Sequence, residues 1–492
     1  MVPIRPLIRD STWLFPPTLD ELIPSDHPAR FVAAFVEHLE RATWARMEIA
    51  VDGDPLGAPA YDPRALLCIW LYGFMTGVRS SRKLEAACRD QVPYLWLTGW
   101  EHPDHNTLWR FYQAHRQELR ELFKRTVKTA VRVGLVDLAV QAVDGTKIAG
   151  NAAKARTYDA EGLRRLLERT DGAIADLEAQ NATGGDPPPP RLPEELADAK
   201  ALRDRVQQTL DQLMAEEGPK HVNLTDPDAR LMKSPHGYVA GYNAQAMVSP
   251  LAEEAAGRTG LFMTATEVSD SPADQDQLLP MIEQAEANIG GAAKLTLADG
   301  GYHSGENVVA CAEAEHKVAM PEAGRRATSE PDPYDKDKFA YNDRTDSYTC
   351  PQGQTLHLAG ERRRKGRAGI RIYRGSPAVC RACPAFGVCT TDRRHGRVLE
   401  ATPHESALRR HRAWMASEEA KSAYRQRKQL PEPVFGILKE LQGARRFLLR
   451  GLKNVQAEWT LLATAFNLRT LYRIWATWQA KGRGAALCGA VA

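Results

Sequence analysis

Two aspartates in this sequence stand where apolar runs stop. Asp144 follows LAVQAV, Asp299 follows KLTLA, and each precedes a glycine. A short apolar run ending in Asp-Gly reads as a strand running into a turn. Carboxylates at the ends of two strands lying side by side would offer the hard oxygen ligands that Mg²⁺ takes, with positions left open for water and phosphate. Two such ions can hold the attacking and leaving oxygens of an in-line phosphoryl displacement. A third carboxylate, carried by a helix, would complete the site. Either Asp-Gly pair alone reads equally well as a plain turn. The two together, each closing a strand in a fitting order, favour the metal reading.

A second group is soft rather than hard. Of eight cysteines, Cys350, Cys380, Cys383 and Cys389 cluster. Cys68, Cys88 and Cys311 sit in helical apolar contexts and read as buried thiols. Cys380-x2-Cys383 is a knuckle, and Cys350 precedes Pro-Gln-Gly, which can turn the chain tightly around a metal. Four thiolates suit a tetrahedral structural Zn²⁺, and such clustering in a chain without a secretory signal points to metal rather than disulfides. The five-residue gap before Cys389 leaves His357 and His395 as substitute ligands, and a reduced, metal-free cluster as the alternative. Gln352-Gly353 and the run Arg362–Arg367 would form the basic tip of a small β-ribbon module able to lie against DNA.

The elements that must position these groups fall into blocks. Up to about residue 130 the chain reads as helical: residues 26–42, 62–77, 80–90 and 104–135 carry apolar residues at helical spacing, and no strand pattern precedes residue 137. After the first strand, residues 155–220 hold two Leu-periodic stretches joined by NATGGDPPPPR, an inserted helical hairpin that packs on itself, on a second subunit or on DNA. Strand patterns resume at GYNAQAMVS and GLFMTATEVS, expected as antiparallel neighbours. A helix, the Asp299 strand, another helix and the short strand HKVAMPE follow. That succession is the order of an RNase-H-like α/β domain, in which the first and fourth strands can lie side by side. Residues 325–400 interrupt it with hairpin signals, and from 404 to about 480 the chain is helical again.

Composition narrows the class. The chain has 492 residues, 43% of them hydrophobic, enough for two or three domains with a real core. No run approaches eighteen apolar residues and the start lacks the apolar core of a signal peptide, so a membrane role is not expected and a cytoplasmic location is. Net charge is only +3. The basic residues, however, concentrate in Arg362–Arg397 and Arg409–Arg450, as phosphate contact would require.

Several stretches together resemble the DDE-type insertion-sequence transposases. AVDGTKIAGNAAK, LADGGYHSGENV and YRQRKQLPEPVFGILKE look like that family's three catalytic regions. Residues 61–90 with PDHNTLWRFY resemble its InsH-like N-terminal domain. The cysteine cluster and DPDARLMKSPHGYVAGYNAQ fit the insertion-sequence family numbered eleven-eighty-two. The third stretch resembles the signature Tyr-x2-Arg-x3-Glu-x6-Lys: Tyr424 to Arg427 and Glu432 to Lys439 keep its spacing, while Arg427 to Glu432 is one residue longer. The resemblance implies a catalytic triad Asp144, Asp299 and Glu432 holding two Mg²⁺ or Mn²⁺ ions, with Glu418, Glu419 and Glu440 as rivals for the third place. Tyr424 and Arg427 would orient a carboxylate or grip a phosphate, or form an ordinary surface pair. Lys439 would reach a phosphate. His303 would touch DNA or a metal-bound water, or only cap a helix. Glu432 lies between prolines, so it is expected at a helix start, with Val434, Leu438 and Leu441 facing the core.

The expected organisation is a helical DNA-binding domain at 1–130, with Arg79, Arg82 and Lys83 on element ends. An RNase-H-like catalytic domain follows at 131–480, interrupted by the hairpin (155–220) and a zinc-ribbon-like module (325–400), and then a tail (481–492). The expected reaction is metal-dependent cleavage at the terminal inverted repeats and strand transfer into target double-stranded DNA by a homodimer. A nuclease or resolvase that only hydrolyses, and a catalytically dead DNA-binding regulator, are the alternatives.

Overall fold

The computed structural model describes residues 18–51, 61–182, 194–215, 219–234, 237–322, 332–364 and 367–481. Cys488, the tail beyond Lys481, linker residues 183–191 and residues 365–366 of the arginine run lie outside the described residues.

The described residues between 18 and 135 are helical, as the periodicity there predicts. Helices α1 (Pro28–Glu37), α2 (Pro63–Thr76), α3 (Ser81–Asp90), α4 (His105–His115) and α5 (Glu121–Arg132) follow one another. Their starts are chemically marked: the Asp62 carboxylate accepts the Arg64 N–H with Pro63 in the first turn, and Asp104 accepts the Thr107 N–H. Ten consecutive residues of α2, Leu66–Met75, are buried, so this helix is enclosed rather than laid on a surface.

The chain then enters β1 (Gln141–Ala149), makes a hairpin of α6 (Ala160–Ala182) and α7 (Glu194–Met214), and returns through β2 (Gly237–Pro250) and β3 (Leu261–Ser269). Lys200 and Arg203 on α7 pair with Glu178 and Asp171 on α6, closing the hairpin on itself. Helix α8 (Leu278–Ile289), β4 (Thr296–Leu297), α9 (Gly305–Glu313) and β5 (Val318–Ala319) complete a six-stranded mixed sheet along the path β3-β2-β1-β4-β5, with the strand Arg230–Ser234 also paired antiparallel to the start of β2. Strand β2 runs antiparallel to β1 and β3, while β4 runs parallel to β1 and β5. The expected pairings of first with fourth strand, and of GYNAQAMVS with GLFMTATEVS, are both present. One expectation fails: Asp144-Gly145 makes no turn. Strand β1 continues to Ala149, and Gly145 pairs with Gln245 in the ladder. The glycine serves close packing: a Cβ there would lie 2.7 Å from Asp274 Oδ1 and 2.8 Å from Asn243 Oδ1.

Residues 340–401 form a separate antiparallel sheet of β6 (Ala340–Asn342), β7 (Ser347–Thr349), β8 (Thr355–Arg364), β9 (Arg367–Arg374) and β10 (Val398–Ala401). It has its own core of Phe339, Tyr348, Leu356, Tyr373 and Leu399. Helices α10 (Glu405–Met415), α11 (Glu418–Tyr424), α12 (Pro431–Glu440) and α13 (Leu452–Ala480) end the described chain. Helix α13 joins the two main blocks. Asn467 donates to Thr126 Oγ1 on α5 and to the Met263 carbonyl on β3, and Tyr472 and Trp475 pack on Phe31 of α1. One continuous core therefore runs from Ile23 to Trp475. No helix among the described residues is long and apolar enough to cross a membrane.

Candidate active site

The ladder between β1 and β4 ends at Ala142 and Leu297. Asp144 and Asp299 each lie two residues past that point, so the parallel pairing carries both carboxylates to the same edge. Arg427 joins them: its Nη2 lies 2.9 Å from Asp144 Oδ1 and 3.4 Å from Asp299 Oδ2. Arg427 stands in the single turn Arg427–Gln429 just before α12 and is buried. Each aspartate also accepts a nearby backbone N–H, Asp144 from Gly145 and Asp299 from Gly301. Burial pushes the Asp144 carboxyl up to about 6, opposed by Arg427 and reinforced by the charges of Asp299 and Asp274. A group so desolvated disfavours its charged form unless more positive charge arrives.

The structure adds an acid that sequence reading missed. Asp274, in the loop after β3, turns Oδ1 toward the Lys147 ammonium (3.2 Å) and the amides of Asn243 (2.7 Å) and Gln245 (2.8 Å). The Gln245 carbonyl in turn accepts the Tyr302 hydroxyl, and the Tyr302 N–H bonds the Asp299 carbonyl. Asp274 is thus linked through one buried amide to the turn that bears Asp299. A Cβ on Gly301 would lie 2.8 Å from Asp299 Oδ1 and 3.3 Å from Asp274 Oδ2, so these carboxylates border one space that only glycine leaves open. In sequence Asp274 sits in SDSPADQDQ and looks like any polar helix approach. Its one signal is the row of buried amides opposite, Asn243 and Gln245, which need a partner.

Glu432 occupies the first turn of α12 with Pro431 at its start, as expected. Val434 and Leu438 are buried, but Leu441, just past the helix end at Glu440, is exposed. Lys439, two turns after Glu432 and so on the same face, reaches Thr146 Oγ1 at 2.5 Å, beside Asp144 on β1. The rivals are engaged elsewhere: Glu418 with Lys421, Glu419 with Lys317, and Glu440 with Arg445. Among the described residues Glu432 makes no ion pair, and none joins it to the aspartates. Tyr424 is half-buried; burial raises its hydroxyl, with Arg427, Asp299 and Asp144 as its charged neighbours. His303 lies 5.9 Å from the His411 ring, and burial lowers its pKa.

The four cysteines also converge. Cys350, Cys380, Cys383 and Cys389 line one small cavity beside Leu356. Three sulfurs accept backbone N–H groups, Cys350 from Gln354, Cys383 from Ala385 and Cys380 from Arg397. Burial raises the Cys389 thiol. Neither expected substitute lines the cavity: His395 is held by Asp392 at 3.0 Å, and His357 lies on β8.

Residues 349–472 match a transposase DDE domain, and residues 17–114 match a second transposase domain of otherwise unassigned type. The first spans the four cysteines, Arg427 and α12; the second spans the N-terminal helices as far as α4. The two matches together support a DDE-type insertion-sequence transposase. No curated protein is similar enough to match the chain.

A transposase of this type is a DNA-processing enzyme, and its family typically uses divalent metals. Among the described residues no group of three or more His, Cys, Asp or Glu side chains is drawn together tightly enough to hold an ion as it stands. The aspartate pair nevertheless fits a cation, since one already bridges it in the form of Arg427, and the space beside Gly301 is bordered by carboxylate oxygens. The transposase's basic residues divide. Arg82 and Lys83 are exposed on α3. Arg79 is not available to phosphate, contrary to expectation: it is buried, pairs with Glu458 Oε1 at 2.9 Å and donates to the carbonyls of Gly443 and Arg446. It ties α3 to α13 instead of facing DNA.

Proposed function

We propose that this transposase cuts the ends of its element and joins them to target double-stranded DNA at an RNase-H-like active site built on Asp144, Asp299 and Glu432. The observation that carries the proposal is the convergence of Asp144 and Asp299 on one buried cation, with Asp144 held far above its ordinary range. Two Mg²⁺ or Mn²⁺ ions held by these carboxylates would supply the charge that stabilises the attacking and leaving oxygens of phosphoryl transfer. Arg427 keeps the two aspartates aligned and can shift to a phosphate oxygen. Lys439 and Tyr424 flank the pair and steady the DNA backbone there. Asp274 orients the Asp299 turn through Gln245 and Tyr302. Glu432, unpaired on the Lys439 face of α12, is the third acid. Cys350, Cys380, Cys383 and Cys389 are proposed to hold one structural Zn²⁺, since four soft donors around one cavity, three of them accepting backbone N–H groups, suit that ion. Arg82 and Lys83 would contact the element's terminal inverted repeats, and pairing of two ends implies a homodimer on DNA in the cytoplasm.

The test is an end-joining reaction with Mg²⁺, purified protein, a duplex carrying an element end and a circular target. The proposal expects cut ends joined to target. Cut ends that never join would reduce the activity to that of a nuclease, and intact DNA would overturn the proposal.

A further inference from the structure

Another recess opens between the start of β3 and the middle of α13. Three arginines, Arg258, Arg469 and Arg473, stand around it with Thr470, over a floor that includes Phe466 and Ile437. Ile437 belongs to α12, the helix whose first turn carries Glu432. Arg258 Nη1 lies 3.5 Å from the Arg473 carbonyl, which ties the loop before β3 to α13. Among the described residues no carboxylate pairs with any of the three guanidinium groups. Burial and the charge of Arg473 hold both Arg258 and Arg469 below the ordinary arginine value. Like charges gathered round a partly dry recess repel one another and lack their hydration, so an anion placed among them gains from all three. The guanidinium fork matches the paired oxygens of a phosphate. Arg473 is exposed at the rim, which lets a polymer backbone reach a site whose deeper arginines are half-buried.

We propose that Arg258, Arg469 and Arg473 bind a backbone phosphate of duplex DNA. This rests on the reading of the chain as a DNA-processing enzyme, and it assigns to DNA a surface on the flank of α12 away from the aspartates. A free phosphate ion shares the same chemistry, so the test carries both probes.

The affinity of full-length protein for a labelled duplex is measured in EDTA across a salt series, for wild type and for Arg469→Gln/Arg473→Gln. Each phosphate contact contributes about 0.9 to the slope of log affinity against log salt. The double variant removes that single contact and should therefore lose about 0.9 from the slope, with no change in base preference. If the double variant does not fold, Arg473→Gln alone, at the exposed rim, should lose a measurable part of that ~0.9. A folded variant with the wild-type slope overturns the proposal. So does inorganic phosphate that binds wild type and not the variant while the DNA slope stays unchanged, because the recess then takes only the free ion. Wild type that fails to bind duplex at all overturns the DNA-processing reading itself.

Discussion

Replacing Asp144 by asparagine should make the metal-free protein more stable at neutral pH, although the residue is central to the proposed chemistry. An aspartate ordinarily titrates at 3.8, and burial in this site holds Asp144 at about 6. At about 1.4 kcal/mol per pH unit, keeping that carboxylate ionised costs the fold about 3 kcal/mol. Asparagine keeps the shape and drops the charge, and Arg427 retains Asp299 as partner. A gain of about 1–3 kcal/mol is expected. The sign follows from the raised value: the penalty is absent below 3.8, grows as pH rises, and is complete above about 6. Urea denaturation in EDTA at a series of pH values should show Asp144→Asn ahead of wild type at neutral pH, with the gap closing on acidification. Added Mn²⁺ should stabilise wild type by mass action and leave the variant unmoved. A variant less stable than wild type at neutral pH, or a gap that does not change with pH, would refute the picture of a desolvated carboxylate waiting for a cation.

Asp274→Asn should weaken Mn²⁺ binding, read by calorimetry, and end cleavage by about 10–100-fold, as loss of a residue that orients a metal ligand does; unchanged binding would leave Asp274 a packing residue. Arg79→Gln strands the buried Glu458 carboxylate and should cost about 3–5 kcal/mol in chemical denaturation; a loss confined to DNA affinity would return Arg79 to the DNA surface. Metal analysis should find close to one zinc per chain, lost in Cys383→Ser together with protease resistance of the 340–401 sheet. Zinc-free, fully folded wild type would contradict that.

The aspartates were legible because each follows an apolar run, and apolar runs report strands whatever their partners. Even β4 and β5, short as they are, stood out for that reason. The same logic misplaced the end of β1. Asp-Gly usually turns a chain, but Gly145 stays in the ladder because Asn243, Gln245 and Asp274 crowd the place of a side chain, and these residues are remote in sequence. Arg79 looks like a surface charge in sequence for a similar reason, since its partner Glu458 lies on the last helix. Asp274 carries no local mark at all. Its role rests on a chain of hydrogen bonds through Gln245 and Tyr302, which no pattern of spacing records. The arginines of the recess beside α12 come together from the loop before β3 and from α13, so charge counting along the chain could not group them.

If Asp144 and Asp299 together hold the metal that drives cutting, end cleavage with Mg²⁺ should fail in Asp144→Asn, Asp299→Asn and Glu432→Gln. Each variant should lose cleavage and joining while duplex affinity, measured in parallel, persists, because binding rests on arginine and lysine contacts to phosphates elsewhere. The triple variant should be little worse than any single one, as expected of residues acting as one unit. Loss with Glu440→Gln instead of Glu432→Gln would move only the third acid. Full cleavage by both aspartate variants would contradict the account.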